Sequence, residues 1–197
     1  MSNTIIPDAS FDQLFRDART ANHWLDKPVD NTLLQQIHDV MRFGPTSANC
    51  CPLRIVFVQS KDAKEKLRPC LDQGNVDKTM KAPVTALFAQ DMKFYEHMKF
   101  LFPHTDARAW FEGNQPLIER TAFRNATLQA AYFMIVARGF GLSCGPMSGF
   151  NNDKLDETFF AGTSFKSNFI CNLGYGDHSK DFPRSPRFAF DDVCKIV

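Results

Sequence analysis

The chain is 197 residues long, enough for one well-buried core and too short for two comfortable domains, so residues 1–197 are expected to form a single domain. Lys plus Arg number 23 against 22 for Asp plus Glu, a balance that offers no strong field to nucleic acid or an anionic membrane and makes a small molecule the default partner. Twenty phenylalanines exceed what one small core usually absorbs and point to a subunit interface, hence a homodimer. The first residues carry no basic region followed by an apolar run, and no stretch approaches the roughly eighteen apolar residues of a membrane span, so a soluble, cytoplasmic protein is expected. Six cysteines, at 50, 51, 70, 144, 171 and 194, include no CxxC pair and no His at zinc-finger spacing; they read as reduced, small apolar residues, and no metal site is expected.

Ser10-x-x-Gln13 fits a capping box opening a first helix, with Phe11, Leu14, Phe15 and Ala18 following at helical spacing. Its end, Arg19-Thr20-Ala21-Asn22-His23-Trp24, gathers a guanidinium, a hydroxyl and an amide. That set suits a phosphate monoester, or Arg19 merely complements the helix dipole. Leu33, Leu34, Ile37, Val40 and Met41 define a second amphipathic helix, which Gly44 is expected to close in a left-handed conformation.

The loop Gly44 to Arg54 holds Pro45, Thr46, Ser47, Asn49, Cys50, Cys51 and Pro52. It is too long and too polar for a simple connection, and reads either as a stiff ligand-lining loop or as an elaborate helix exit. A β-rich run, Arg54 to Gln59, precedes a charged helix from Ser60 with Leu67 and Leu71 inward and the charges from Lys61 to Arg68 on a solvated face. Gly74 to Pro83 reads as a polar connection into the strand Val84–Gln90. Residues 91–114, rich in Phe, Met and Tyr, read as an excursion covering a pocket.

Pro116 to Arg138 contains no Gly and no Pro beyond its first position. It predicts a helix of about 35 Å forming the spine of the core, with Leu117, Thr121, Leu128, Ala131, Tyr132, Ile135 and Val136 on its inner side. Gly139-Phe-Gly141-x-x-x-Gly145 fails as a dinucleotide fingerprint because the third glycine comes late and a helix, not a strand, precedes it. An extended run from Leu142 ends in a second stiff turn, Pro146-Met147-Ser148-Gly149, where Gly149 would let a flat ligand approach the backbone. A short helix near Asp153–Phe160, a strand over Asn168–Gly174 and a proline-bounded tail bearing Arg184 and Arg187 complete the chain.

Taken in order, Arg19-Thr20-x-Asn22-x-Trp24, Pro45-Thr46-Ser47-x-Asn49-x-x-Pro52, Gly145-Pro146-Met147-Ser148-Gly149-Phe150 and the arginine-bearing tail resemble the nitroreductase superfamily of FMN-dependent oxidoreductases. Gly44-Pro-Thr-Ser-Ala-Asn-Cys50, Phe102-Pro-His-x-Asp-Ala-Arg108 and Thr121-Ala-Phe-Arg-Asn125 resemble, within it, the malonic semialdehyde reductase subfamily. The resemblance implies an α+β fold, an α-β-α sandwich with a central, mostly antiparallel sheet and a long core helix, in a domain-swapped homodimer with FMN between subunits. It implies that Arg19, Thr20 and Arg187, with Arg184, hold the flavin phosphate beside Asn22. Pro45, Thr46, Ser47 and Asn49 would lie along the ring, Asn75 and Lys78 at its pyrimidine edge, and Pro146, Met147, Ser148 and Gly149 near N5. No side chain need be catalytic, because the flavin carries the hydride between NAD(P)H and a small acceptor.

Many relatives carry Lys or Arg where Asn22 stands and Glu where Ser148 stands. These departures favour a small anionic acceptor, such as malonic semialdehyde reduced to 3-hydroxypropanoate, with Arg108 or Arg124 holding its carboxylate. A general nitro or quinone reductase and a non-catalytic flavin-binding protein are the alternatives.

Overall fold

Strand β2, Val84–Asp91, is buried along nearly its whole length, which only a strand covered on both faces can be. The computed structural model describes residues 3–197 and places this strand inside a four-stranded, wholly antiparallel sheet of order β1-β2-β4-β3. The other strands are β1 (Leu53–Val58), β3 (Ser143–Met147) and β4 (Phe165–Gly174). The helices, in chain order, are α1 (Asp8–Phe11), α2 (Asn31–Met41), α3 (Lys61–Leu67), α4 (Gln73–Lys81), α5 (Met98–Leu101), α6 (Gln115–Gly139), α7 (Asn152–Phe159) and α8 (Phe190–Val193).

Alternation along the strands divides the core. Val84, Ala86 and Phe88 of β2 join Cys171 and Leu173 of β4 under α2 and α6, whereas Leu87, Ala89 and Ile170 face Leu67 of α3 and Leu155 of α7. The expected α-β-α sandwich results. A third apolar cluster, Phe94, Met98, Ala107 and Phe111 with Ile118 and Ala122 of α6, anchors the 91–114 excursion.

Several local expectations are corrected. The first helix starts at Asp8, and Asp12–Arg16 forms a wider π turn. Ser10 makes no capping box, because Gln13 Nε2 donates instead to two C-terminal carbonyls of α6, those of Arg138 (2.9 Å) and Gly139 (3.3 Å). Gly44 is required not by a left-handed φ but by crowding, since a Cβ there would lie 2.5 Å from the Tyr132 ring. The left-handed residues of this loop are Ala48, Asn49 and Cys51. Residues 73–81 form a helix rather than a polar connection: Thr79 is buried, and Lys64 and Trp24 bind carbonyls of its last turn.

The spine is right in extent and right in part of its face, since Thr121 is buried and Leu117, Tyr132 and Val136 pack half-buried against the core, whereas Leu128 is exposed. Helix α6 buries Ile118, Ala122, Asn125, Ala126, Gln129, Ala130, Phe133 and Ala137, and of the expected inner residues only Thr121 is fully buried. Four alanines let the helix lie close on the sheet, which leaves Phe123 and Leu128 exposed. The "solvated" α3 also buries one cation, Lys64.

Candidate functional site

After the π turn the chain runs extended beside β3: Thr20 bridges Cys144, Ala21 N donates to Cys144 O (3.0 Å), and Trp24 bridges Gly176. A Cβ on Gly145 would lie 2.6 Å from Ala21 O, so this contact requires glycine. The tail folds back over the same segment. Arg19 donates to the carbonyl of Phe182, and Arg184 Nη2 donates to the carbonyls of Arg16 (2.6 Å) and Ala18 (2.9 Å). Ser143 Oγ meets His178 Nε2 (3.0 Å), whose Nδ1 meets Asp181 Oδ2 (2.7 Å), which fixes the start of the tail against β3.

An open cavity of about 670 Å³ is thereby formed, with Arg19, Thr20, Asn22, Arg138, Arg184 and Arg187 in its wall beside Asp181, whose carboxylate is held by His178. Arg187 bonds only the carbonyls of Ser185 and Pro186, and none of these four arginines has a carboxylate partner among the described residues. Four guanidinium forks against a single carboxylate that is itself engaged by His178 are chemically matched to a phosphate.

The stiff turn expected from Pro146 is in part strand, because Pro146 and Met147 pair with Cys171 and Ile170 of β4 and end β3. Only Ser148 and Gly149 follow before Phe150 bridges Leu71, and α4 meets this 146–149 run from the side. Asn75 Nδ2 donates to Gly149 O (2.8 Å), and Asp72 N donates to the same carbonyl (3.1 Å). A Cβ on Gly149 would sit 2.5 Å from Asn75 Nδ2, so the group that approaches this glycine closely is Asn75 itself. Lys78 is half-buried one turn on, and its carbonyl accepts from Trp24 Nε1 (3.0 Å). Met147 accepts a contact from Thr79 Oγ1 (3.6 Å), and Ser148 is exposed. The 19–24 segment, Asn75, Lys78 and the 145–149 turn thus form one connected wall.

Behind it lies an all-polar network. Lys64 Nζ, on a side chain left 4% exposed, donates to Thr79 O (2.9 Å) and Thr85 Oγ1 (2.6 Å). Thr85 Oγ1 donates to Asn172 Oδ1 (2.7 Å), whose Nδ2 donates to Thr79 Oγ1 (3.1 Å). Burial pushes the Lys64 ammonium down to about 7.

The Pro45–Asn49 loop lies elsewhere. Ser47 N donates to Asn125 Oδ1 (2.8 Å) at the middle of α6, Asn49 Nδ2 donates to Leu101 O (2.8 Å), and Thr46 Oγ1 accepts from Cys51 N (3.2 Å). Beside it, burial pushes the Cys50 thiol up to about 11 and keeps it inert. Asn125 and Arg138 are separated by about 20 Å along a helix rising 1.5 Å per residue. None of Pro45, Thr46, Ser47 and Asn49 lines the arginine cavity. Of the expected acceptor arginines, Arg108 is exposed and paired with Glu112 (2.6 Å), whereas Arg124 is exposed on α6 with no ion pair among the described residues.

Two contributors escape sequence reasoning. Arg138, in the last turn of a helix, reads there as a complement to the dipole, and Lys64 reads as one charge among many on α3. Only the tertiary fold brings either one to the site.

Comparison with known proteins places the chain among relatives. A protein of Burkholderia lata named as a candidate NADH dehydrogenase/NAD(P)H nitroreductase is 58% identical over 98% of this chain and 99% of its own. One of Stenotrophomonas maltophilia bearing the same description is 57% identical over 96% of each. Among solved structures, a candidate nitroreductase of Bacillus subtilis superposes with a TM-score of 0.85 at 19% identity, covering 96% of this chain and 99% of that one. Another, of Exiguobacterium sibiricum in complex with FMN, gives 0.84 at 17% identity with both chains fully covered. The family model described as the nitroreductase family matches residues 15–175, and with that span the chain belongs to the nitroreductase family.

Proposed function

We propose that this protein is an FMN-dependent NAD(P)H oxidoreductase working as a homodimer. The observation that carries the reading is the cavity wall in which Arg19, Arg184 and Arg187 converge, none of them paired with a carboxylate among the described residues, beside the segment that Thr20 and Ala21 join to β3. The FMN complex of the Exiguobacterium relative and the NAD(P)H in the names of the close relatives support it.

Bound here, FMN would supply two-electron redox chemistry between NAD(P)H and an acceptor. The chain's residues bind and tune it. The arginines, with Thr20 and Asn22, hold the phosphate, while Asn75 and Lys78 face the pyrimidine edge. The Lys78 ammonium favours negative charge gathering at that edge and so makes reduction easier. Pro146, Met147, Ser148 and Gly149 flank the reactive centre of the ring and exclude water from one side.

The second half of the site comes from a second copy. Pro45, Thr46, Ser47 and Asn49, held some 20 Å from the arginines within one chain, would reach the flavin of the other. Two features support the exchange. Phe182, Phe188, Phe190, Val193 and Ile196 of the tail are at least 60% exposed. A groove of about 740 Å³ along the outer strand β1, lined by Leu34, Met41, Leu53, Ile55, Phe57 and Phe100, is open to receive an apolar segment.

The acceptor favoured by the relatives' names is a nitro compound. A small carboxylate such as malonic semialdehyde is the second reading and rests on Arg124, whose guanidinium is exposed and carries no ion pair among the described residues. The test is stopped-flow mixing of the yellow holoprotein with NADH, then with matched acceptors with and without a carboxylate. Bleaching and recovery of the flavin absorbance support the enzyme. Flavin that stays oxidised leaves a binding protein only. Deletion of residues 182–197 is expected to yield colourless monomer in light scattering, and a yellow dimer would refute the exchange.

A further inference from the structure

Among the described residues, two buried side-chain polar atoms lack a hydrogen-bond partner, Gln90 Oε1 and Arg138 Nε. The second belongs to Arg138, a residue of the arginine cavity's wall. Arg138 sits in the last turn of α6, donates Nη1 to Leu14 O (2.9 Å) and so ties the π turn to the helix end. It lines both the large cavity and its neighbour of about 230 Å³, where it meets Arg19, Ser143 and His178. A guanidinium stays charged at every accessible pH and offers five donors. The α6 dipole favours a cation there but gives its Nε–H nothing to bond. Nε itself is closed off by protein, so what Arg138 can offer a ligand is Nη2, which bonds nothing among the described residues. A charged fork half-buried without an acceptor is costly and is relieved by an anion.

We infer that Arg138 donates directly to the phosphate of the bound flavin and sets the preference for FMN over unphosphorylated flavin. The inference rests on the FMN reading above and goes beyond it, since a helix-terminal arginine joins the tail and N-terminal residues as a phosphate ligand. Its place explains the economy of the site. Arg19 and Arg184 spend donors on carbonyls of the chain, which holds the tail in place, and Arg187 spends donors on its own neighbours. Arg138 spends only Nη1, on Leu14 O, and keeps its Nη2 edge unused in the cavity wall. A phosphate monoester, carrying close to two negative charges at neutral pH, satisfies that edge and the surplus charge together.

The experiment is calorimetric titration of the apoprotein with FMN and with riboflavin, for the wild type, Arg138→Met and Arg138→Lys. Methionine keeps the apolar stem and removes the fork; lysine keeps the charge and loses the Nη2 fork. Arg138→Met is expected to bind FMN about tenfold to a hundredfold more weakly, the span of one charge-assisted bond, with riboflavin affinity unchanged within about twofold. Arg138→Lys should lose several-fold for FMN alone, and it carries the test if the methionine variant fails to fold. Equal weakening of both flavins would make Arg138 a structural tie to Leu14 only, and unchanged FMN affinity would remove it from the site; either overturns the inference. A wild type that binds FMN no better than riboflavin also overturns it. A wild type that binds neither flavin brings down the underlying reading, a result distinct from an indifferent variant of a flavin-binding wild type.

Discussion

Replacing Lys64 with methionine should change stability by an amount that depends on pH in a fixed direction. The amine donates to Thr79 O and Thr85 Oγ1, faces no carboxylate that offsets its burial, and falls from an ordinary 10.5 to about 7. Below about pH 7 it is protonated in both folded and unfolded chains, so the whole cost of burying the charge is present. Between about 7 and 10.5 the unfolded chain binds the extra proton, and wild-type stability rises by about 1.4 kcal/mol per pH unit. The methionine variant lacks this slope. Its loss of bonds to Thr79 and Thr85, about 1–3 kcal/mol, is independent of pH. Relative to the variant, the wild type should therefore gain about 2–3 kcal/mol between pH 7 and pH 9. Urea unfolding of the apoproteins at one protein concentration, followed by the fluorescence of Trp24 and Trp110, measures it. A difference that stays flat from pH 6 to 9, or that moves in the variant's favour, would refute the reasoning.

The ion pair at the far end of β2 provides a second check. Asp91 accepts from Arg54 Nη2 (2.6 Å), Ser164 Oγ (2.6 Å) and Lys93 N (2.9 Å), and its side chain is 3% exposed. Arg54→Met leaves that carboxylate short of charge and should cost about 3 kcal/mol in thermal or urea unfolding, whereas a loss below about 0.5 kcal/mol would show the pair to be dispensable. On the proposed function, Lys78→Ala should lower the midpoint potential of bound FMN, measured by equilibration with a reference dye; an unshifted potential would confine Lys78 to binding.

The order of elements was legible because periodicity and punctuation agree over most of the chain: the β-rich run before Gln59, the Ser60 cap, the Pro116–Gly139 span. Residues Arg19, Thr20, Asn22, Arg184 and Arg187 were legible as a group, and they do line one cavity. What failed had a common cause, in that tertiary contact overrode a local pattern. The inner face of α6 was sought among large residues, but close approach to the sheet selects alanine. Helix α4, with Gly74 and Asn75 in its first turn, has little propensity of its own and is held by Lys64 and Trp24 from outside. Gly44 was assigned to backbone conformation when its neighbour's ring decides it.

The length of α6 has a consequence for how lesions combine. The helix stations the Asn125-supported loop and the Arg138-flanked cavity well apart in one protomer, so in the proposed dimer each chain serves two different flavins with its two ends. Damage at Asn49 and damage at Arg19 would then reside in separate polypeptides without adding up: a mixed pair keeps one catalytic centre wholly undamaged and concentrates both defects in the other. Injury to either end is recessive to the extent that subunits can be exchanged, and the protein's genetics follows from a straight rod about 37 Å long.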